Sequence, residues 1–216
     1  MPITGKDTRT LKQGDAEPPY SPGVVRIITM RFCPFGERTL IYCARKGIPA
    51  EIINFSTVSK PEWLLTKNPK GTAPTLQLDD MNLYESAIVC EYLDEQYPEN
   101  PVLPKDPYLK AHQKILAQNL SVVPGAVLKL TLAMKKGSLP EVEAAVTEFE
   151  KQFDYAEGLL KESGAFFGGS SPGFADYMTP DFPGVSRWPK LSLWFATMLR
   201  QPEVMILSRI RSEIWK

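Results

Sequence analysis

Four prolines fall within eleven residues at Tyr97-Pro98-Glu99-Asn100-Pro101-Val102-Leu103-Pro104-Lys105-Asp106-Pro107, and they divide the chain into two stretches of different character. Proline lacks the N–H that a helix interior or a central strand needs, so no regular element runs through this segment. Upstream of it, runs rich in β-branched residues alternate with helical patterns. Downstream only helical periodicity is found. The spacing therefore predicts a domain of mixed strands and helices over 23–97, a linker over 98–107 and an all-α domain over 108–216.

In the first stretch, Val24-Val25-Arg26-Ile27-Ile28-Thr29-Met30 reads as a buried strand. Pro34 to Lys46 follows as a helix with Phe35, Leu40, Ile41 and Ala44 apolar, closed by Gly47. Glu51–Phe55 is a second strand, and the helix between the two makes them parallel. A short helix over Pro61–Lys67 ends at Asn68-Pro69-Lys70-Gly71. A hairpin comes next, with strands Thr75–Leu78 and Leu83–Tyr84, and then a helix from Ser86 to Gln96. The order β-α-β-α-β-β-α implies a mixed four-stranded sheet with the hairpin at one end. Residues 1–22 are polar, end in Pro18-Pro19-Tyr20-Ser21-Pro22, and read as a flexible or surface-draped extension. In the second stretch, helices are expected over about 108–135, from Ser138-Leu139-Pro140-Glu141 onward, over 174–179 and over 190–199.

Lysine plus arginine equals aspartate plus glutamate, 25 of each, so no net field favours nucleic acid or anionic lipid. Three cysteines, Cys33, Cys43 and Cys90, do not make a disulfide framework and suit a reducing compartment. No secretory signal pattern precedes the first strand. No uncharged apolar run reaches the ~18 residues of a membrane span, so a cytoplasmic protein without membrane contact is expected. The single histidine, His112, has no nucleophile paired with it, and no His/Cys cluster has metal spacing. Gly168-Gly169-Ser170 lacks the lysine of a phosphate loop.

Cys33 stands where the first strand meets the first helix, followed by Pro34 at a position that loses nothing by lacking an N–H. There its sulfur faces unpaired backbone N–H groups and the positive end of the helix, a setting that lowers a thiol pKa. Arg31 and Arg38 add to that field. An ordinary buried cysteine is the other reading. Pro74, in Gly71-Thr72-Ala73-Pro74-Thr75, either marks a strand start or is cis, in which case it would turn the Ala73 backbone toward an extended peptide beside Cys33. Glu85-Ser86 opens a helix, either as a plain N-cap or as a site where Glu85 meets an ammonium and Ser86 a carboxylate. Lys60 is either a solvated charge or the partner of a second carboxylate. A thiolate, a strand-like edge, an amino-acid site and a spare cation together describe a γ-glutamyl tripeptide with a central cysteine and a terminal glycine.

Arg31-Phe32-Cys33-Pro34-Phe35, Ala73-Pro74, Tyr84-Glu85-Ser86-Ala87-Ile88, Glu91-Tyr92-Leu93-Asp94-Glu95 and the run at 60–63 resemble the omega-class glutathione transferases, most strongly over about 18–104. The resemblance implies the cytosolic glutathione transferase fold, a thioredoxin-like domain followed by an all-α one. It makes Cys33 the nucleophile that forms a mixed disulfide with glutathione, with Phe35, Lys60, Ala73, Glu85 and Ser86 binding the tripeptide and Pro74 as a structural cis-proline. Glutathione is implied as cosubstrate, with no permanently bound cofactor and no metal. Disulfides, dehydroascorbate or small electrophiles are the implied acceptors, and a homodimer the implied assembly. The expected activity is that of a thioltransferase and dehydroascorbate reductase with weak conjugation. A non-catalytic glutathione-binding protein, or a chloride-channel-like protein of the same fold, is the alternative. Two departures from the family pattern stand out: Gly173 where a Ser or Thr usually precedes Asp176, and an end at Trp215-Lys216 where omega members continue through another helix.

Overall fold

A computed structural model describes residues 3–5, 8–31, 33–179 and 187–205. Phe32 of the cysteine motif and the terminal Trp215-Lys216 lie outside the described residues. The chain forms two compact units. One runs through Pro101 and includes the described residues 201–205, and the other is Val102–Arg200.

The first unit contains β1 (Ile3–Thr4), β2 (Val25–Thr29), α1 (Pro34–Lys46), β3 (Ala50–Asn54), α2 (Trp63–Lys67), β4 (Thr75–Leu78), β5 (Met81–Tyr84) and α3 (Ser86–Gln96). Its strands lie in the order β1-β3-β2-β4-β5. β2 and β3 are parallel with Ile27 beside Ile52, while β4 runs antiparallel to β2 and β5 antiparallel to β4. All five residues of β2 are buried, as a strand covered on both faces requires. Helix α1 begins at its Cys33 N-cap and ends at Gly47, whose φ of 68° is the left-handed stop that glycine adopts at least cost. At that end the Lys46 ammonium is buried against Asp94 of α3 at 2.8 Å and also donates to the Glu99 carbonyl at 3.2 Å, which ties α1 to α3.

The sheet has five strands where the sequence reading expected four, because the N-terminal extension is built into it. Ile3 and Thr4 pair in parallel with Ala50 and Glu51. Leu11 is 7% exposed, donates its N–H to Asn54 O at 2.8 Å, and packs with Ile28, Ile53, Phe55 and Leu64. The proline run is held by Arg26, a charged residue in the all-buried β2. Its guanidinium donates to Glu51 and to the carbonyls of Pro18 and Pro19, and lies 5.0 Å from the Tyr20 ring centroid. Prolines expose carbonyl acceptors without competing donors, which is why this run can satisfy a buried arginine.

The described elements of the second unit are helices: α4 (Pro107–Leu120), α5 (Val122–Lys136), α6 (Leu139–Ser163), α7 (Phe174–Tyr177) and α8 (Pro189–Met198). The helical stretch expected over about 108–135 is divided at Ser121. Pro124 cannot sit in a helix interior without clashing with the Leu120 carbonyl, so α4 stops at Leu120 and Pro124 falls in the first turn of α5. Taken as one stretch, Pro107–Lys136 is long and apolar enough to cross a membrane by length and composition, with a third of its most apolar window buried. Lys114 and Lys129 interrupt it, so it holds no uncharged apolar run of ~18 residues. Helix α6 opens with Ser138 N–H and Oγ both donating to Glu141, a capping box.

Candidate functional site

The candidate site is assembled from the ends of β2 and α1, the turn before β4 and the start of α3, all within the first unit. Cys33 is the N-cap of α1, with its backbone extended at φ −76° and ψ 114°. Its Sγ accepts the Gly36 N–H at 3.4 Å and lies 4.0 Å from the Ala73 carbonyl oxygen. The Ala73–Pro74 peptide is cis. Thiol, helix N-terminus and the backbone edge of Ala73 are therefore in contact.

The electrostatics of Cys33 differ from the sequence expectation. At 7% exposure, burial pushes its thiol up, while the Gly36 and Phe35 N–H groups and the charge of Arg38 work in the opposite direction. The helix end supplies the expected pull, but desolvation outweighs it. Cys43 and Cys90 are fully buried free thiols, and burial raises both further, Cys43 to about 12.

Gly36 is the position where a second cysteine of a CxxC pair would stand. A Cβ there would overlap Thr29 Oγ1 and lie 3.1 Å from Thr29 Cβ, so a side chain at this position would force Thr29 of β2 or the first turn of α1 to shift. Phe35 lies under the Arg38 guanidinium, 4.8 Å from ring centroid to carbon. Half-buried Lys60 passes over Gly71, whose φ of 55° and missing Cβ make room: an added Cβ would sit 3.3 Å from Lys60 Nζ.

At the start of α3, Glu85 has φ 70° and makes no side-chain cap. The plain N-cap reading of this pair does not hold, since Ser86 is the first helical residue and its Oγ accepts from Arg38 Nη1 at 3.3 Å. Glu85 is exposed and pairs with Lys70 at 2.7 Å, an ion pair in water that a ligand ammonium can enter. Lys70 Nζ also lies 5.7 Å from the Tyr84 ring centroid.

The comparisons with known proteins fall on this geometry. Residues 27–101 match the family model described as glutathione S-transferase, N-terminal domain. Glutathione transferase omega-1 of Caenorhabditis elegans is 38% identical, with 97% of this chain aligned to 90% of that protein. Glutathione S-transferase omega-1 of Rattus norvegicus is 40% identical over 93% of this chain and 87% of that protein. The chain belongs to the omega-class glutathione transferases. Among solved structures, glutathione transferase Omega 3C of Trametes versicolor superposes with a TM-score of 0.70 at 19% identity, over 91% of this chain and 94% of that one. The theta-class enzyme of Xanthomonas axonopodis pv. citri, solved with glutathione bound, gives 0.73 at 19% over 85% and 96%. Likenesses at this level of identity establish the fold.

In this transferase the sequence-derived residues are grouped in pairs: Cys33 with Ala73, Lys60 with Gly71, Phe35 and Ser86 each with Arg38, and Glu85 with Lys70. Two of these linking residues, Gly71 and Lys70, were given no role in the site by sequence reasoning, and Arg38 only a contribution to the field at Cys33. The sequence signal for Gly71 and Lys70 is the Pro69-Lys70-Gly71 turn, which by itself marks only a helix stop. Among the described residues, no three His, Cys, Asp or Glu side chains group as a metal site would require.

Proposed function

We propose that this omega-class transferase is a glutathione-dependent thioltransferase and dehydroascorbate reductase working through Cys33, with weak conjugating activity. The observation that carries the reading is the Cys33 sulfur at the N-terminus of α1, hydrogen-bonded to Gly36 N–H and beside the Ala73 carbonyl. In the proposed cycle, Cys33 thiolate attacks the glutathionyl sulfur of a mixed disulfide. The substrate thiolate leaves, and Cys33 is joined to glutathione. A second glutathione thiolate then attacks the glutathionyl sulfur, forming glutathione disulfide and returning Cys33 as thiolate. With dehydroascorbate, two glutathiones are oxidised to their disulfide, and their two electrons and two protons go to the acceptor. Because residue 36 is glycine rather than cysteine, and Cys43 and Cys90 are buried, the resolving thiol comes from solution.

In this reading Lys60 meets the glycyl carboxylate, and the Ala73 backbone pairs with the cysteinyl part. Phe35 packs beside it, Pro74 holds the turn, and Glu85 and Ser86 hold the γ-glutamyl head. The protein acts as a cytoplasmic homodimer in detoxification, on disulfides and small electrophiles, without nucleic acid or membrane. The thiol raised by burial favours a second reading, a glutathione-binding protein without turnover, or a chloride-channel-like one. Glutathione-dependent reduction of hydroxyethyl disulfide and dehydroascorbate separates the two. Turnover by the wild type and none by a Cys33→Ala variant with unchanged circular dichroism is expected. Glutathione binding without turnover by either protein would establish the second reading.

A further inference from the structure

Arg38 stands in α1 five residues after the Cys33 N-cap and is 3% exposed. Nη1 donates to Ser86 Oγ at 3.3 Å, while Nε and Nη2 are buried with no hydrogen-bond partner among the described residues. The guanidinium also lies over the Phe35 ring face. A buried guanidinium left without an anion is costly, and replacing such a charge by an apolar side chain often leaves a fold no less stable. Burial accordingly lowers its pKa to about 10. Stability does not explain why an arginine stands here, so its missing counter-charge is the informative point.

Two ionisable groups act on Arg38: Cys90 of α3 and Cys33. Cys90 is fully buried and burial keeps it a neutral thiol. Cys33 sits at the open end of the helix, with Arg38 favouring its thiolate and Glu37 opposing it. The anion that would satisfy Arg38 is therefore the one that forms during the reaction.

We propose that Arg38 is a positioning residue that couples the two ends of the glutathione site. Its charge is balanced by the Cys33 thiolate when that forms, and its bond to Ser86 Oγ occupies a lone pair and leaves the hydroxyl proton to donate to the γ-glutamyl carboxylate. The inference rests on Cys33 as the reacting thiol and Ser86 as a ligand of glutathione. It also acts on the second half of the cycle. When the incoming glutathione thiolate bonds to the glutathionyl sulfur, the bond to Cys33 breaks with its electron pair on Sγ, and that departing thiolate regains its cation. Arg38 thus favours release of the mixed disulfide as well as its formation.

The test uses the full chain with Arg38→Gln, which keeps a donor and drops the charge, and Arg38→Lys, which keeps the charge. Iodoacetamide alkylation of Cys33 is followed from pH 6 to 10.5, with Cys33→Ala as the blank and urea unfolding as the fold check. The expected result for Arg38→Gln is a midpoint about one unit higher and alkylation about tenfold slower at pH 8, with Arg38→Lys returning the midpoint toward wild type. The KM for glutathione should rise in Arg38→Gln and in Ser86→Ala, with the double variant no worse than the poorer single one. A folded Arg38→Gln with an unmoved profile overturns the inference, because a structural arginine would shift only the urea midpoint. Should Arg38→Gln not fold, Arg38→Met replaces it, and failure of both to fold also overturns the inference by making Arg38 structural. Alkylation reads Cys33 without glutathione. A shifted profile in a protein that never turns over would leave this inference standing and remove the proposed function, and turnover with an unmoved profile would do the reverse.

Discussion

At Gly36, the absence of a side chain sets both packing and chemistry. Its N–H donates to the N-cap sulfur of Cys33 at 3.4 Å, and the first turn of α1 lies so close to Thr29 of β2 that a Cβ would overlap Thr29 Oγ1. On helix propensity alone, Gly36→Ala would stabilise the chain by about 0.5–1 kcal/mol. Forcing a methyl against a side chain that is 3% exposed costs about 1–3 kcal/mol, so a net loss of roughly 1–2 kcal/mol is expected in urea unfolding. Thr29→Ala removes the Oγ1 that the new Cβ would overlap. In the double variant most of the loss should return, as a coupling between contacting residues. A Gly36→Ala protein as stable as wild type would show that the two elements can separate at no cost.

Among the elements, α7 shows how a helix start survives the loss of its usual cap. Gly173 stands where a Ser or Thr would accept a hydrogen bond from the first turn, and Gln113 of α4 supplies that acceptor: its Oε1 receives the Ala175 N–H at 3.2 Å. Asp176 completes the turn by accepting from the N–H groups of Phe167, Gly168 and Gly173 and from Trp194 Nε1, all within 2.9 Å. A Cβ on residue 173 would lie 2.7 Å from Gln113 Oε1, so the glycine and the glutamine depend on each other. Gln113→Ala should therefore cost about 1 kcal/mol, the usual value of a lost cap, and Gly173→Ser alone should also destabilise. Together they should recover, since the serine then has both the space and the vacant donor. Strictly additive losses in the double variant would refute the exchange. The sequence marked both ends of α1, α3 and the start of α6 because caps, prolines and glycines punctuate them locally. It did not reveal the Gln113 cap or the docking of Ile3, Thr4 and Leu11 beside β3 and of Pro18 and Pro19 on Arg26, because those contacts join residues far apart in the chain and leave no periodic trace.

For the molecule as a whole, the fold was legible from sequence, as were the positions that make a candidate site, whereas the balance of forces at the thiol was not. Strand-helix alternation, the proline segment and the Cys33, Pro74 and Glu85-Ser86 positions are local patterns. The burial that raises Cys33 and the unmatched charge of Arg38 depend on how α1, α3 and the turn before β4 close together. This has a consequence for global stability. Every residue expected to touch glutathione lies between Cys33 and Ser86, in the unit that ends at Pro101, so the binding free energy adds to the stability of that unit. At a hundredfold excess over Kd the gain is about 2.7 kcal/mol, or roughly 5–10 °C in Tm for a chain of this size that unfolds as one block. Calorimetry with and without glutathione should show that shift. If the two units melt separately, it should be confined to the transition of the first. Cys33→Ala should keep most of it, because Lys60, the Ala73 backbone, Glu85 and Ser86 remain, whereas Glu85→Ala should lose a large part by removing the partner of the ligand ammonium. No shift at saturating glutathione would mean that these groups, although brought together, do not form a site for the tripeptide, and the proposed chemistry at Cys33 would need another thiol.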